Sequence, residues 1–210
     1  FIMYIPEVDT VRSSLDSVSM DRDRLRSTLD NAENDLNQAQ TSGQSNDDDF
    51  GLGFSDYDSE DSLSGRASEL INSIRQTLEQ ADQEQNHQTD LNQLQHDLDS
   101  IKTCQHQLGH DWQDADSNAN SLVSDLSERL MDFNTGDYGN SSDLGNPYYG
   151  ADYGLKMTPD YNDFDNDGDS NQLVDDLTSA KEDAEELETS INEHDLDEAK
   201  MNLSNLDILG

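Results

Sequence analysis

The run Asp163-Phe-Asp165-Asn-Asp167-Gly-Asp169-Ser-Asn171 sets carboxylates at alternating positions around a glycine. Calcium takes six to eight hard oxygen ligands, and a glycine permits the tight turn that converges them. A second group joins Cys104, His106 and His110, with His96 two helical turns earlier. His106 and His110 stand four apart, a spacing at which two imidazoles on one helix face can share a metal. The apolar spacing puts Gln105 and Leu108 on the buried seam, so both histidines should face outward as ordinary polar-face residues. Cys104, inside a helical pattern, lacks the setting of an activated thiol. As the sole cysteine it also excludes a disulfide scaffold within the chain. The sequence has no glycine-rich phosphate loop, no nucleophile elbow and no His-Glu-x-x-His motif, so no enzyme is expected. The sequons at Asn140 and Asn202 are what so Asn- and Ser-rich a chain produces by chance.

The acidic run resembles the first half of the calcium loops of EF-hands and dockerins, over nine residues. That resemblance implies Asp163, Asp165, Asp167, the backbone of Asp169, and Asn171 as ligands for Ca²⁺, with Mg²⁺ or Na⁺ as alternatives in brine. It departs at the twelfth position, where Val174 replaces the bidentate acid; Asp175, one place late, is the candidate for closure. The preceding Thr158–Asn162 does not read as an entering helix. The alternative is a solvated acidic turn.

Three apolar seams supply the elements. The first runs Val8, Val11, Leu15, Val18, Arg22, Leu25, Leu29, Ala32, Leu36, Ala39, in alternating steps of three and four, with Arg22 the exception. This is coiled-coil spacing, and Pro6 suits its first turn. The next has Ala67, Leu70, Ile71, Ile74, Leu78 and Ala81, then Leu91, Leu94, Leu98, Ile101, Gln105, Leu108, Trp112, Ala115, Ala119, Leu122, Leu126. Its phase survives Gly109, which predicts an unbroken helix there. Residues 82–90 carry nothing apolar between the two phases beyond 81, and are either a polar stammer in one long helix or a hairpin turn; the lack of Gly or Pro favours continuity. The last seam runs Leu173, Leu177, Ala180, Ala184, Leu187, Ile191, from a helix expected to begin near Gln172. It is followed by Leu196, Ala199, Leu203 and Leu206, with Asp195 as N-cap and Glu198 as its capping-box partner.

The fold class expected is all-α: an elongated helical bundle or coiled coil with long acidic, Gly/Tyr-rich loops. Its parts are an apolar start and coiled-coil helix (1–40), an acidic linker (41–62), a long helix or helical hairpin (63–132), a Gly/Tyr/Asp-rich loop with the calcium-type run (133–170), and a helix–turn–helix (171–210). The apolar start, residues 1–6, reads as a docking segment, a processed terminus or the end of a membrane anchor.

The charges are one-sided: 48 Asp and Glu stand against 11 Lys and Arg, for a net charge of −37. That excludes nucleic-acid binding through a basic patch and polybasic membrane association. Such composition predicts disorder, unless the chain is built for brine. Asp far exceeds Glu and lysine is scarce, which resembles the proteins of haloarchaea and their viruses. In molar salt the Debye length shrinks to roughly 3 Å and self-repulsion is screened. A disordered tail has no reason to keep apolar periodicity, and this chain keeps it. The expectation is therefore a structural component of a larger assembly: a virion neck, tail, fibre or capsid part, or a cell-surface filament. It would associate with itself and with other subunits, in the virion or at the surface of an extreme halophile, with a cytoplasmic place also open. The alternative is an acidic binding module, a chaperone or nucleic-acid mimic for a basic partner.

Overall fold

The computed structural model describes residues 5–43, 60–84, 91–134 and 167–208. Among these residues the protein is all-helical, with five helices and no strand: α1 (Pro6–Gly43), α2 (Glu60–Glu84), α3 (Leu91–Asn134), α4 (Asp167–Asn192) and α5 (Leu196–Ile208). No described helix is long and apolar enough to cross a membrane.

The helices follow the seams. In α1 the residues from Val8 to Leu36 on the three-four spacing are buried, except Arg22, which is half-buried as is Ala39 beyond them. Pro6 opens the helix, where a missing N–H costs nothing. Glu7 and Asp9 in the first turn complement its positive end. α3 continues through Gly109, burying Leu108 and Trp112 on either side of it. α4 starts at Asp167, five residues earlier than the apolar spacing implies. The extra turn has no seam residue to announce it.

The described chain forms two compact units, one from the residues up to Asp16 and from Trp112 onward, the other Ser17–Asp111. In the second unit, Thr28 Oγ1 of α1 lies 3.6 Å from Cys104 Sγ of α3. Two turns further along α1, Asp35 meets Asp97, two turns back along α3. The two helices therefore run antiparallel here. From α2, Arg66 donates to Asp30 at 2.5 Å and Glu33 at 2.8 Å. Burial alone would lower the Arg66 pKa, but these two carboxylates outweigh it and hold it above the ordinary value. Arg66 and Asp97 thus lie against neighbouring turns of α1. One straight helix through both would separate them by about 46 Å, so α2 and α3 are separate helices laid on α1. Residues 85–90 lie outside the described residues.

In the first unit, Asn118 of α3 donates to Ser14 Oγ of α1 at 2.7 Å. Arg129 is buried, with Asp125 at 2.7 Å and Glu7 at 3.9 Å. The α4–α5 connection closes in three residues. His194 N–H bonds to Ile191 O, and Asp195 N–H to Ser190 O, which is the Schellman pattern of a helix end. His194 takes the left-handed position at φ 57°. Asp195 then caps α5, accepting the Glu198 N–H at 3.0 Å. This is one half of the expected capping box. The Asp195 N–H, which the other half needs, is already bound to Ser190. Across the hairpin, Asn202 is 4% exposed and its amide donates to Ser190 Oγ at 2.9 Å. Its side-chain nitrogen is therefore closed to glycosylation in the folded chain.

Two outcomes follow from this packing. Leu25→Asp should lower stability by about 3 kcal/mol or more, because it puts a charge in place of a buried leucine. Ser27→Asp, two residues on and exposed, should stay within about 0.5 kcal/mol. Thermal melting followed by circular dichroism, at one fixed salt concentration, separates the pair; equal melting would remove the seam. Gly109 has nothing within 4 Å of where a Cβ would stand. Gly109→Ala should therefore add roughly 1 kcal/mol by helix propensity alone, read as a higher melting midpoint.

Candidate functional site

The α1 positions Thr28, Asn31 and Asp35 recur every three or four residues and so share a helix face. They flank the buried row Leu29, Ala32 and Leu36. On α3, Gln93, His96, Asp97 and Ser100 flank Leu94, Leu98 and Ile101 in the same way. Together with Asn34 these residues line a polar cleft of about 350 Å³ beside the seam.

Asp97 is the unusual member. It is 6% exposed. Its Oδ1 accepts the Gln93 Nε2 hydrogen bond at 3.0 Å, and His96 Nδ1 stands 3.8 Å away. Its Oδ2 is buried and receives no hydrogen bond. The Asp35 carboxyl lies within hydrogen-bonding reach of Asp97, yet when both are ionised neither can donate. Burial pushes the Asp97 pKa up, and Asp35 pushes it further; the Gln93 and His96 contacts oppose this without cancelling it. The cleft is thus a place where negative charge accumulates against its own solvation. All its side-chain donors and acceptors are nitrogen and oxygen, and its carboxylate, amide and hydroxyl oxygens are the ligands hard cations take.

The calcium-type run is elsewhere in the chain. Asp163 and Asp165 lie outside the described residues. Asp167, Asp169 and Asn171 fall in the opening turns of α4, and Asp175 is exposed on the same helix. Among the described residues, no three His, Cys, Asp or Glu side chains gather as a metal site. His96, His106 and His110 are exposed, the last two pointing outward as the seam implies. Cys104 is half-buried beside Thr28.

Two features escaped the reading from sequence. Asp35 and Asp97 are two among 35 aspartates, and neither has a distinguishing motif. The available signal was position: Asp97 immediately precedes seam residue Leu98 and follows seam residue Leu94 by three. The other is His194, whose ring stacks on Trp112 with centroids 4.7 Å apart and planes 13° from parallel. No protein-family model, no characterised protein and no solved structure matches this chain.

The pH dependence has a definite sign. The folded state holds the Asp97 proton more tightly than the unfolded chain does. The stability linked to that proton is full below the ordinary carboxylate range and is lost as pH rises through the raised folded value. Asp97→Asn keeps the shape and gives Asp35 a donor. The variant should melt higher than the parent at neutral pH, with the gap closing toward pH 3. A gap independent of pH, measured by thermal melts across that range, would remove the charge argument.

Proposed function

We propose that this protein is a structural helical component of a larger assembly in a high-salt environment, of the kind that builds a virion neck, tail, fibre or capsid, or a cell-surface filament. In this reading the helices form an elongated bundle or coiled coil. The observation that carries it is the contrast between core and surface. The core of the described helices is a repeating row of Leu, Ile, Val and Ala on three-four spacing, while the chain as a whole carries a net charge of −37. A row this narrow favours helices that pair with one another or with further copies over a broad globular core. The charge favours a medium in which carboxylate repulsion is screened. The calcium-type run at 163–171 belongs to the same reading as a candidate Ca²⁺ or Mg²⁺ site.

A second reading, an acidic module that captures a basic partner, is favoured by the excess of 48 acidic over 11 basic residues. It ranks below the first because molar salt screens the long-range attraction it depends on.

The test is salt. Circular dichroism and sedimentation in molar KCl should report high helicity and self-association. Helicity should fall below roughly 0.1 M, where the Debye length reaches about 10 Å. Full helicity in dilute neutral buffer would overturn the high-salt reading. A monomer at every salt concentration, paired with tight low-salt binding to a polycation, would favour the binding module.

A further inference from the structure

We propose that the cleft between α1 and α3 in the Ser17–Asp111 unit is a binding site for a hard divalent cation, held between Asp35 and Asp97 across the two helices. The inference is independent of the assembly reading and of the calcium-type run at 163–171.

An acidic pair alone would say little in a chain this acidic. What distinguishes this one is the state of Asp97. Its side chain is 8% exposed, it lines the cleft, and its Oδ2 is buried without a hydrogen-bond donor. A buried carboxylate oxygen with no donor is costly unless something positive meets it. The facing group from α1 is Asp35, a second carboxyl, which makes the deficit worse. Arg66 of α2 engages Asp30 and Glu33 of α1 and is not among the residues that line the cleft. His96 Nδ1 stands 3.8 Å from Oδ1 and can offset charge there when protonated; the buried Oδ2 and the facing Asp35 are left to a shared proton or a bound cation.

The surroundings select the class of cation. Thr28, Asn31, Asn34 and Ser100, whose side chains carry hydroxyl and amide oxygens, line the same cleft. Two carboxylates from different helices, with neutral oxygens and water completing the shell, suit Ca²⁺ or Mg²⁺. With two carboxylates and an open cleft, the affinity falls at the weak end of the protein range, with a dissociation constant on the order of 1 mM. A cation seated there bridges α1 and α3, so binding appears as stabilisation of the folded chain.

The experiment uses the full chain in molar KCl at pH 7 and constant ionic strength. CaCl₂ or MgCl₂ is titrated to well above 1 mM against the parent, Asp97→Asn, Asp35→Asn, Asp99→Asn and Asp165→Ala. Asp99 is exposed on α3, so its variant removes the same charge without touching the cleft. The readouts are the melting midpoint and metal bound in equilibrium dialysis. The parent, Asp99→Asn and Asp165→Ala should each show a midpoint that rises with the divalent ion. Asp97→Asn and Asp35→Asn should lose that rise and bind at this site at least tenfold more weakly. The Ca²⁺ and Mg²⁺ arms say which ion the cleft prefers. A response lost only in Asp165→Ala would move the site to the acidic run and overturn the proposal. Equal responses in Asp97→Asn and Asp99→Asn would reduce the effect to general screening and overturn it too. No response in the parent leaves the shared proton as the partner of Asp97. Should one cleft variant fail to fold, the other, together with the dialysis of the parent, decides.

Discussion

Burial of a narrow apolar row between antiparallel helices is the interaction on which every other feature of this structure rests. Each fully buried leucine contributes about 1.5–3 kcal/mol, and α1 alone buries Leu15, Leu25, Leu29 and Leu36 along one face. Against this stands the acidic surplus of the chain, 48 Asp and Glu to 11 Lys and Arg. Two unit charges at 4 Å repel by about 1 kcal/mol in water before salt, and a net charge of −37 multiplies such pairs. The balance explains how the scarce bases are used. Arg66 and Arg129 each tie two helices together through acids, Asp30 and Glu33 for the first, Glu7 for the second. Positive charge at a helix–helix contact relieves repulsion where the chain is most crowded.

The same row decides what could be read from the sequence. Seam positions repeat by local rule, so the burial of Val11, Leu29, Ile101 and Leu122 was legible, as were the helix start at Pro6 and the passage of α3 through Gly109. The side-by-side placement of α2 and α3 was not. Composition between them offers no Gly or Pro to mark a turn, and only contacts distant in sequence, Arg66 with Glu33 and Asp97 with Asp35, reveal it. Asp97 was illegible for a related reason. Its type is the commonest in the chain, and its burial depends on which turn of α1 arrives opposite.

The α4–α5 turn shows how a long-range contact can override a local rule. The C′ position of a Schellman turn usually holds glycine, sometimes asparagine, because the left-handed backbone costs other residues about 1–2 kcal/mol. Here it holds His194. The imidazole lies flat on the indole of Trp112, which is 2% exposed, and stacked rings of this kind contribute about 0.5–1.5 kcal/mol. The stack offsets much of the backbone cost and ties the hairpin to α3 within the same unit. A glycine there would fit the turn better and lose the tie.

The carboxylate pair in the cleft has the same logic turned toward the medium. A seam of leucines alone would pair α1 and α3 in dilute water as readily as in brine. Placing Asp35 against Asp97 adds a repulsion inside the contact, where solvent screens it less than at the surface. On the cation proposal, that repulsion becomes an attraction once an ion enters. The pairing of α1 with α3 then depends on the surrounding ions twice: outside, through screening of the acidic faces, and inside, through occupancy of one cleft. Screening responds to total ionic strength, whereas occupancy responds to one class of ion at its own concentration. A chain with both can distinguish a salty medium from one that also holds divalent cations, which charge density on the surface alone cannot do.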